Sequence, residues 1–204
     1  MRRLPATKPA NPRLGELFDA LSGYLHLDED GHVLFTLAVT VGAKLDGPPL
    51  WGMLVGSSSG GKTEDLHMVK DLADERVDEL TAVALLSWTK GKEPRETGIL
   101  TRVGRRGFVT VNDFSTVLAG SDRGGRDQLF SLLRVAYDGS VTRDLGNAPR
   151  ALRWEGRLTI LAACTPAIDH YSSHADALGH AGCTGGSRTA TPTRKRPLDA
   201  RLVR

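Results

Sequence analysis

The chain has 204 residues, 40% of them hydrophobic and 5% aromatic, so it is long enough for one domain with an aliphatic core and is not a wholly disordered polymer. No apolar run approaches the roughly 20 residues that span a bilayer, and two cysteines make neither a disulfide framework nor a zinc-ligand set, so free thiols in a cytoplasmic protein with no membrane partner are expected. The net charge of +3 is unevenly spread: residues 14–174 carry 17 basic and 22 acidic side chains, and the excess of base sits at the two ends, which leaves bulk charge as weak support for nucleic-acid binding.

Residues 1–13, with Pro5, Pro9 and Pro12, read as a flexible basic leader. The spacing of Leu14, Leu17, Phe18, Leu21 and Leu25 predicts a short amphipathic helix, and Asp28 to Gly31 a polar turn. Val33 to Lys44 reads as a buried helix, with a strand as the rival, ended by Asp46-Gly47-Pro48-Pro49. Leu50 to Val55 is a short apolar run of the right length for a central strand, and Thr63 to Ala73 reads as a helix.

Between them lies Gly56-Ser57-Ser58-Ser59-Gly60-Gly61-Lys62-Thr63, which satisfies G-x-x-x-x-G-K-[ST]. The glycines let the backbone curl so that its N–H groups converge on phosphate oxygens, and the following helix start adds positive partial charge. Lys62 is expected to reach the β- and γ-phosphates of a nucleotide, and Thr63 to offer its hydroxyl to Mg²⁺. A Gly/Ser linker that happens to end in Lys-Thr is the bland alternative, and the strand-loop-helix context argues against it.

Farther on, Leu80 to Trp88 is read as a second strand or a helix-to-strand transition, and residues 89–98 as a surface loop. Ile99 to Val103 reads as helical, Gly104 to Gly107 as a basic turn, and Phe108 to Val111 as a strand ending in Asn112-Asp113. A strand-terminal acid in P-loop ATPases lies next to the phosphate-loop strand and holds Mg²⁺ directly or through water. Asp113, about fifty residues after Lys62, is the candidate, alone or paired with Asn112.

Leu129, Leu132, Leu133 and Ala136 mark a helix over Gln128 to Tyr137, and Gly139 to Trp154 a β-hairpin. The stretch 139–157 carries Arg143, Arg150, Arg153 and Arg157 against Asp144 and Glu155, a local excess of base that either tracks a nucleic-acid backbone or is simply solvated. Arg123, Arg126 and Arg134 are candidates for an arginine reaching a neighbouring subunit's nucleotide. Leu158 to Ala163 is a third strand, running into Thr165, a candidate for orienting the attacking water. His170 and His174 stand four apart without a third ligand, too little for a metal site. Residues 179–204 hold no Phe, Tyr, Trp, Ile or Met and are expected to be a disordered basic tail, leaving 14–178 as the folded domain.

The strings GSSSGGKT, GILTRVGRRGFVTVNDFSTVL, LLRVAYDGSVTRDLG and RLTILAACTPAID, in this order over residues 14–174, resemble a family of P-loop ATPase-like proteins of actinobacterial phages and integrated elements, related in layout to AAA-type helicase cores. The resemblance implies an α/β three-layer P-loop fold with an N-terminal helical portion and an ATP- and Mg²⁺-dependent activity in DNA metabolism. It also implies an acid strand ending at Asp113, a sensor strand ending near Thr165, and a hairpin that grips single- or double-stranded DNA, with homo-oligomers possible. Such proteins continue with a helix, a strand and a C-terminal helical part bearing an arginine. Here that pattern gives way after Leu178 to Gly, Thr, Arg and Pro, so a truncated or frameshifted copy is expected. A P-loop kinase for a small substrate and an inactive nucleotide-binding remnant are the rivals. No guanine-specifying Asn-Lys-x-Asp string is present, which favours ATP over GTP.

Overall fold

The computed structural model describes residues 12–24, 31–58, 60–90, 93–119, 123–166, 168 and 182–186. Two helices open the described chain, α1 (Pro12–Tyr24) and α2 (Gly31–Lys44), followed by strand β1 (Trp51–Val55) and helix α3 (Lys62–Met68). Next come β2 (Glu75–Val77), α4 (Ala82–Leu85), β3 (Ser87–Thr89), β4 (Arg95–Thr97), α5 (Ile99–Val103) and β5 (Arg106–Val111). The remainder is α6 (Ser115–Ala119), α7 (Arg123–Tyr137), β6 (Ser140–Arg143), β7 (Leu152–Glu155), β8 (Arg157–Cys164) and β9 (Gly182–Gly186).

Five strands form one sheet in the order β2-β5-β8-β1-β9, and each of its four pairings is parallel. Such a sheet must be covered on both faces, and the alternation along its strands shows how. On β8, Leu158, Ile160, Ala162 and Cys164 enter one apolar cluster with Leu129 and Leu133 of α7, Leu85 of α4 and Ile99 of α5. Leu161 and Ala163 enter the other, with Val39 and Ala43 of α2 and Leu66 of α3. The architecture is α/β, a parallel central sheet between two helical layers.

Two small antiparallel hairpins, β3–β4 and β6–β7, stand outside that sheet. The apolar run Leu80–Trp88 is therefore a helix-to-strand transition whose strand pairs with β4, and the expected surface loop at 89–98 contains that partner. The strand that does occupy the sheet edge is Glu75-Arg76-Val77, too short and too polar to show periodicity. The rival strand reading of Val33–Lys44 gives way to helix α2.

Two expectations need correction. Residues 182–186, inside the stretch expected to be disordered, form β9, hydrogen-bonded along β1 from Trp51↔Gly182 to Val55↔Gly186. A glycine-rich segment with no large side chain fits beside a strand already carrying the packing, because parallel pairing is made by backbone groups. The acid-bearing strand β5 also does not lie next to β1. β8 is inserted between them, pairing β1 on one side and β5 on the other.

Gly52 shows why the sheet and α2 meet closely: a Cβ there would come within 2.7 Å of Val39 Cγ2 and 3.0 Å of the Phe35 ring. The loop side of the sheet is fixed by a second contact to α2. His32 Nδ1 lies 2.9 Å from both carboxylate oxygens of Asp65, which is only 4% exposed on α3.

Candidate functional site

In an open parallel sheet the ligand crevice lies beyond the carboxyl ends of strands whose onward connections diverge. The chain leaves β1 for the far edge strand β2, whereas it leaves β8 for β9 on the other flank of β1. The crevice therefore falls at the ends of β1 and β8, where Val55 and Cys164 are in register.

The loop after β1 is hung on β8, because the Gly56 N–H donates to the Cys164 carbonyl at 3.1 Å. It then turns on itself, with Gly60 N–H donating to Ser57 O at 3.0 Å. Gly61 enters α3 at φ 76°, ψ 0°, a left-handed conformation that a Cβ disfavours. Its side chain-free cap leaves the first helical amides, Lys62 and Thr63, without an acceptor inside the helix. Ser57 and Ser58 are exposed, Gly56 and Gly60 buried, and Ser59 lies outside the described residues.

Lys62 folds back over this loop. Its ammonium donates to Gly56 O at 2.9 Å and Ser57 O at 2.5 Å. Partial burial lowers its pKa, while the negative charge of Asp113 acts to raise it. Asp113 thus reaches Lys62 electrostatically from a strand two positions away in the sheet. Thr63 is exposed in the first turn of α3.

The acid side is built by a tight local motif. Asp113 Oδ1 accepts the Ser115 N–H at 2.8 Å, and its carbonyl accepts from the Thr116 hydroxyl at 3.0 Å, an Asx turn that starts α6. Asn112 turns the other way along the strand, and its amide donates to Asp78 Oδ1 at 2.6 Å. Of the two residues at the strand end, Asn112 is thus bonded to Asp78, and Asp113 is the one whose charge acts on Lys62.

Ser115 was not singled out from the sequence, although Asp-x-Ser is an Asx-turn spacing. Its hydroxyl accepts the Thr165 N–H at 2.8 Å and faces Cys164 Sγ at 3.6 Å. The Phe114 N–H adds a bond to Ala163 O at 2.8 Å. Thr165, half-buried, is thereby held between the Lys62 loop and Asp113. The buried Cys164 thiol has its pKa pushed up, chiefly by burial.

The arginines separate by what they bind. Arg143 donates to the Ala82 and Leu86 carbonyls at 2.6 and 2.7 Å, and burial lowers its pKa. Arg157 binds the carbonyls of Gly42, Leu45 and Pro48, tying β8 to the turn after α2. Both are structural. Arg150 lies 3.4 Å from Glu96, and Arg153 projects from the exposed face of β7. Arg123, Arg126 and Arg134 all belong to α7, where Arg126 donates to Leu118 O at 3.0 Å. His170 and His174 lie outside the described residues.

Among the described residues no group of three or more His, Cys, Asp or Glu is gathered to hold a metal ion by itself. A hydroxyl and one carboxylate, Thr63 and Asp113, do suit Mg²⁺, which keeps several waters and completes its shell with phosphate oxygens. Among the described residues no helix is long and apolar enough to cross a membrane. No protein-family model matches this chain, and a search of the curated proteins finds no match.

Proposed function

We propose that this chain binds ATP with Mg²⁺ at the Gly56–Thr63 loop and hydrolyses it, as a P-loop ATPase of AAA-like, helicase-related type acting on DNA in phages or mobile elements. The observation that carries the reading is the loop after β1, with Lys62 folded over Gly56 and Ser57, hung on the tip of β8, the same tip that Ser115 ties to the strand-terminal Asp113. A linker ending in Lys-Thr would have no reason to hang on the strand tip that the acid turn also holds.

In this reading the loop amides and Lys62 neutralise the β- and γ-phosphates, and Lys62 exchanges its bonds to Gly56 and Ser57 for phosphate oxygens. Thr63 and Asp113 hold Mg²⁺, which supplies charge neutralisation on the phosphates when bound. Thr165 orients a water for attack on the γ-phosphorus, the bond to the β–γ bridging oxygen breaks, and the water's proton passes to solvent. Positioning and charge stabilisation do most of this work. The β6–β7 hairpin directly precedes β8, so DNA held by Arg150 and Arg153 would be linked by one strand to Thr165. Action in the cytoplasm, and assembly of copies so that an arginine of one meets nucleotide on the next, belong to the same reading.

The test is ATP turnover by the full chain, by Lys62→Ala and by Asp113→Ala, each with and without single-stranded DNA, alongside calorimetric MgATP binding. Turnover that needs both residues and rises with DNA supports the proposal. Binding without turnover makes the chain a nucleotide-binding module, and binding that survives Lys62→Ala removes the loop from the site.

A further inference from the structure

On the sheet face covered by α3, a cavity of about 250 Å³ opens between that helix and the carboxyl ends of β2 and β5. His67 and Lys70 line it from the α3 side, Arg76 and Asp78 from β2 and the turn after it, and Thr110 and Asn112 from β5. Nothing in the nucleotide reading uses this space.

The charges around it are unbalanced. Glu75 and Arg76 are neighbours on β2 and project to opposite faces, and Glu75 is taken by Arg102 at 2.6 and 3.2 Å. It therefore does not neutralise Arg76. Among the described residues Lys70 and Arg76 make no ion pair, and both are exposed. The single acid, Asp78, already accepts from the Asn112 amide. Two cations and a histidine thus converge on one cavity within a body whose charge is otherwise negative.

We propose that this cavity is a second anion site, which takes a phosphate ester through Lys70, Arg76 and His67. Its volume lies below the roughly 300–1,000 Å³ of pockets for whole drug-sized ligands. It suits a phosphate with an adjoining sugar rather than a complete nucleoside triphosphate. Two sources share that chemistry, a phosphodiester of a nucleic-acid strand and the monoester of a small phosphorylated sugar. The site is distinct from the Gly56–Thr63 loop and stands whether or not that loop binds ATP.

Amide chemical-shift titration of the full chain with inorganic phosphate tests it, in a Lys62→Ala background that removes loop binding. Shifts at His67, Lys70, Arg76 and Asn112 are expected. They should weaken by about tenfold or more in Lys70→Glu/Arg76→Glu, because a charge-assisted contact is worth about 1.5–3 kcal/mol. Both side chains are exposed, so the fold should persist, and Lys70→Gln/Arg76→Gln should give a smaller loss at the same positions. In the chain that retains Lys62, MgATP binding by the charge-reversed variant Lys70→Glu/Arg76→Glu should be unchanged. Repeating the titration with ribose 5-phosphate and with a short oligothymidylate separates the sources, the tighter ligand identifying its class. Shifts absent from these four residues, or indifferent to both double variants, would overturn the proposal.

Discussion

Ser115 gives its backbone N–H to Asp113 and takes the Thr165 N–H on its hydroxyl, so one residue spaces the acid from the tip of β8. Ser115→Ala keeps the first bond and loses the second. The stranded Thr165 N–H should cost about 1–3 kcal/mol in urea unfolding. If Thr165 positions water, turnover should fall by roughly tenfold with MgATP affinity nearly unchanged, the signature of an interaction made only in the transition state. Equal losses in both would reduce Ser115 to a structural role. Cys164 offers a separate check of burial at the same place. Its thiol is pushed above the ordinary 9.0, so the folded chain holds this proton more tightly than the unfolded one. That contribution to stability is complete below pH 9 and is lost as pH rises through the folded value. In Cys183→Ser the remaining thiol should resist alkylation until denaturant opens the core. Reaction at the rate of a free thiol would place Cys164 at the surface instead.

At the scale of elements, two arginines of one hairpin should behave oppositely. Arg143 binds the carbonyls of Ala82, the first residue of α4, and Leu86, just past its end, so Arg143→Ala should destabilise by about 1–3 kcal/mol. Arg153→Ala should leave stability within about 0.5 kcal/mol and, if the hairpin grips DNA as proposed, reduce only the DNA-stimulated part of turnover. A thermal melt and a DNA titration on the same two variants separate these outcomes. The contact between α2 and α3 yields a similar prediction. His32→Ala leaves the buried Asp65 carboxylate without that partner, and a loss of about 1–3 kcal/mol is expected by denaturant titration. These partners were invisible in the sequence because each joins residues 33 or more apart, for which local spacing carries no signal.

What could be read beforehand follows from how each element is stabilised. Strands β1, β5 and β8 are buried on both faces and stand out as apolar runs, and α7 has an unbroken helical stripe. β2 and β9 are edge strands held by backbone pairing, so Glu-Arg-Val and Gly-Cys-Thr-Gly-Gly leave no apolar trace. Among the site residues, the loop is legible because its glycines, Lys62 and Thr63 fall at consecutive positions of one pattern. The order of strands, with β8 between β1 and β5, is a property of the whole sheet that no local pattern encodes. Most pairings in that sheet are remote in sequence, Trp51 lying against Ile160 and Val109 also against Ile160. Sheets of this kind fold slowly, since loop closure must precede the contacts that reward it. Stopped-flow refolding should therefore show a main phase in the millisecond-to-second range, and a microsecond phase carrying the full amplitude would contradict the topology.

The hydrogen bond from Gly56 to the Cys164 carbonyl also sets an order of events on the ribosome. β1 is made before both strands that flank it, which are translated more than a hundred residues later. Until then its backbone has no ladder to join, and the loop that follows has nothing to hang from. If the loop binds phosphate, as proposed, it would gain that capacity only after β8 has been translated, so nascent chains that stop short of β8 would not sequester ligand.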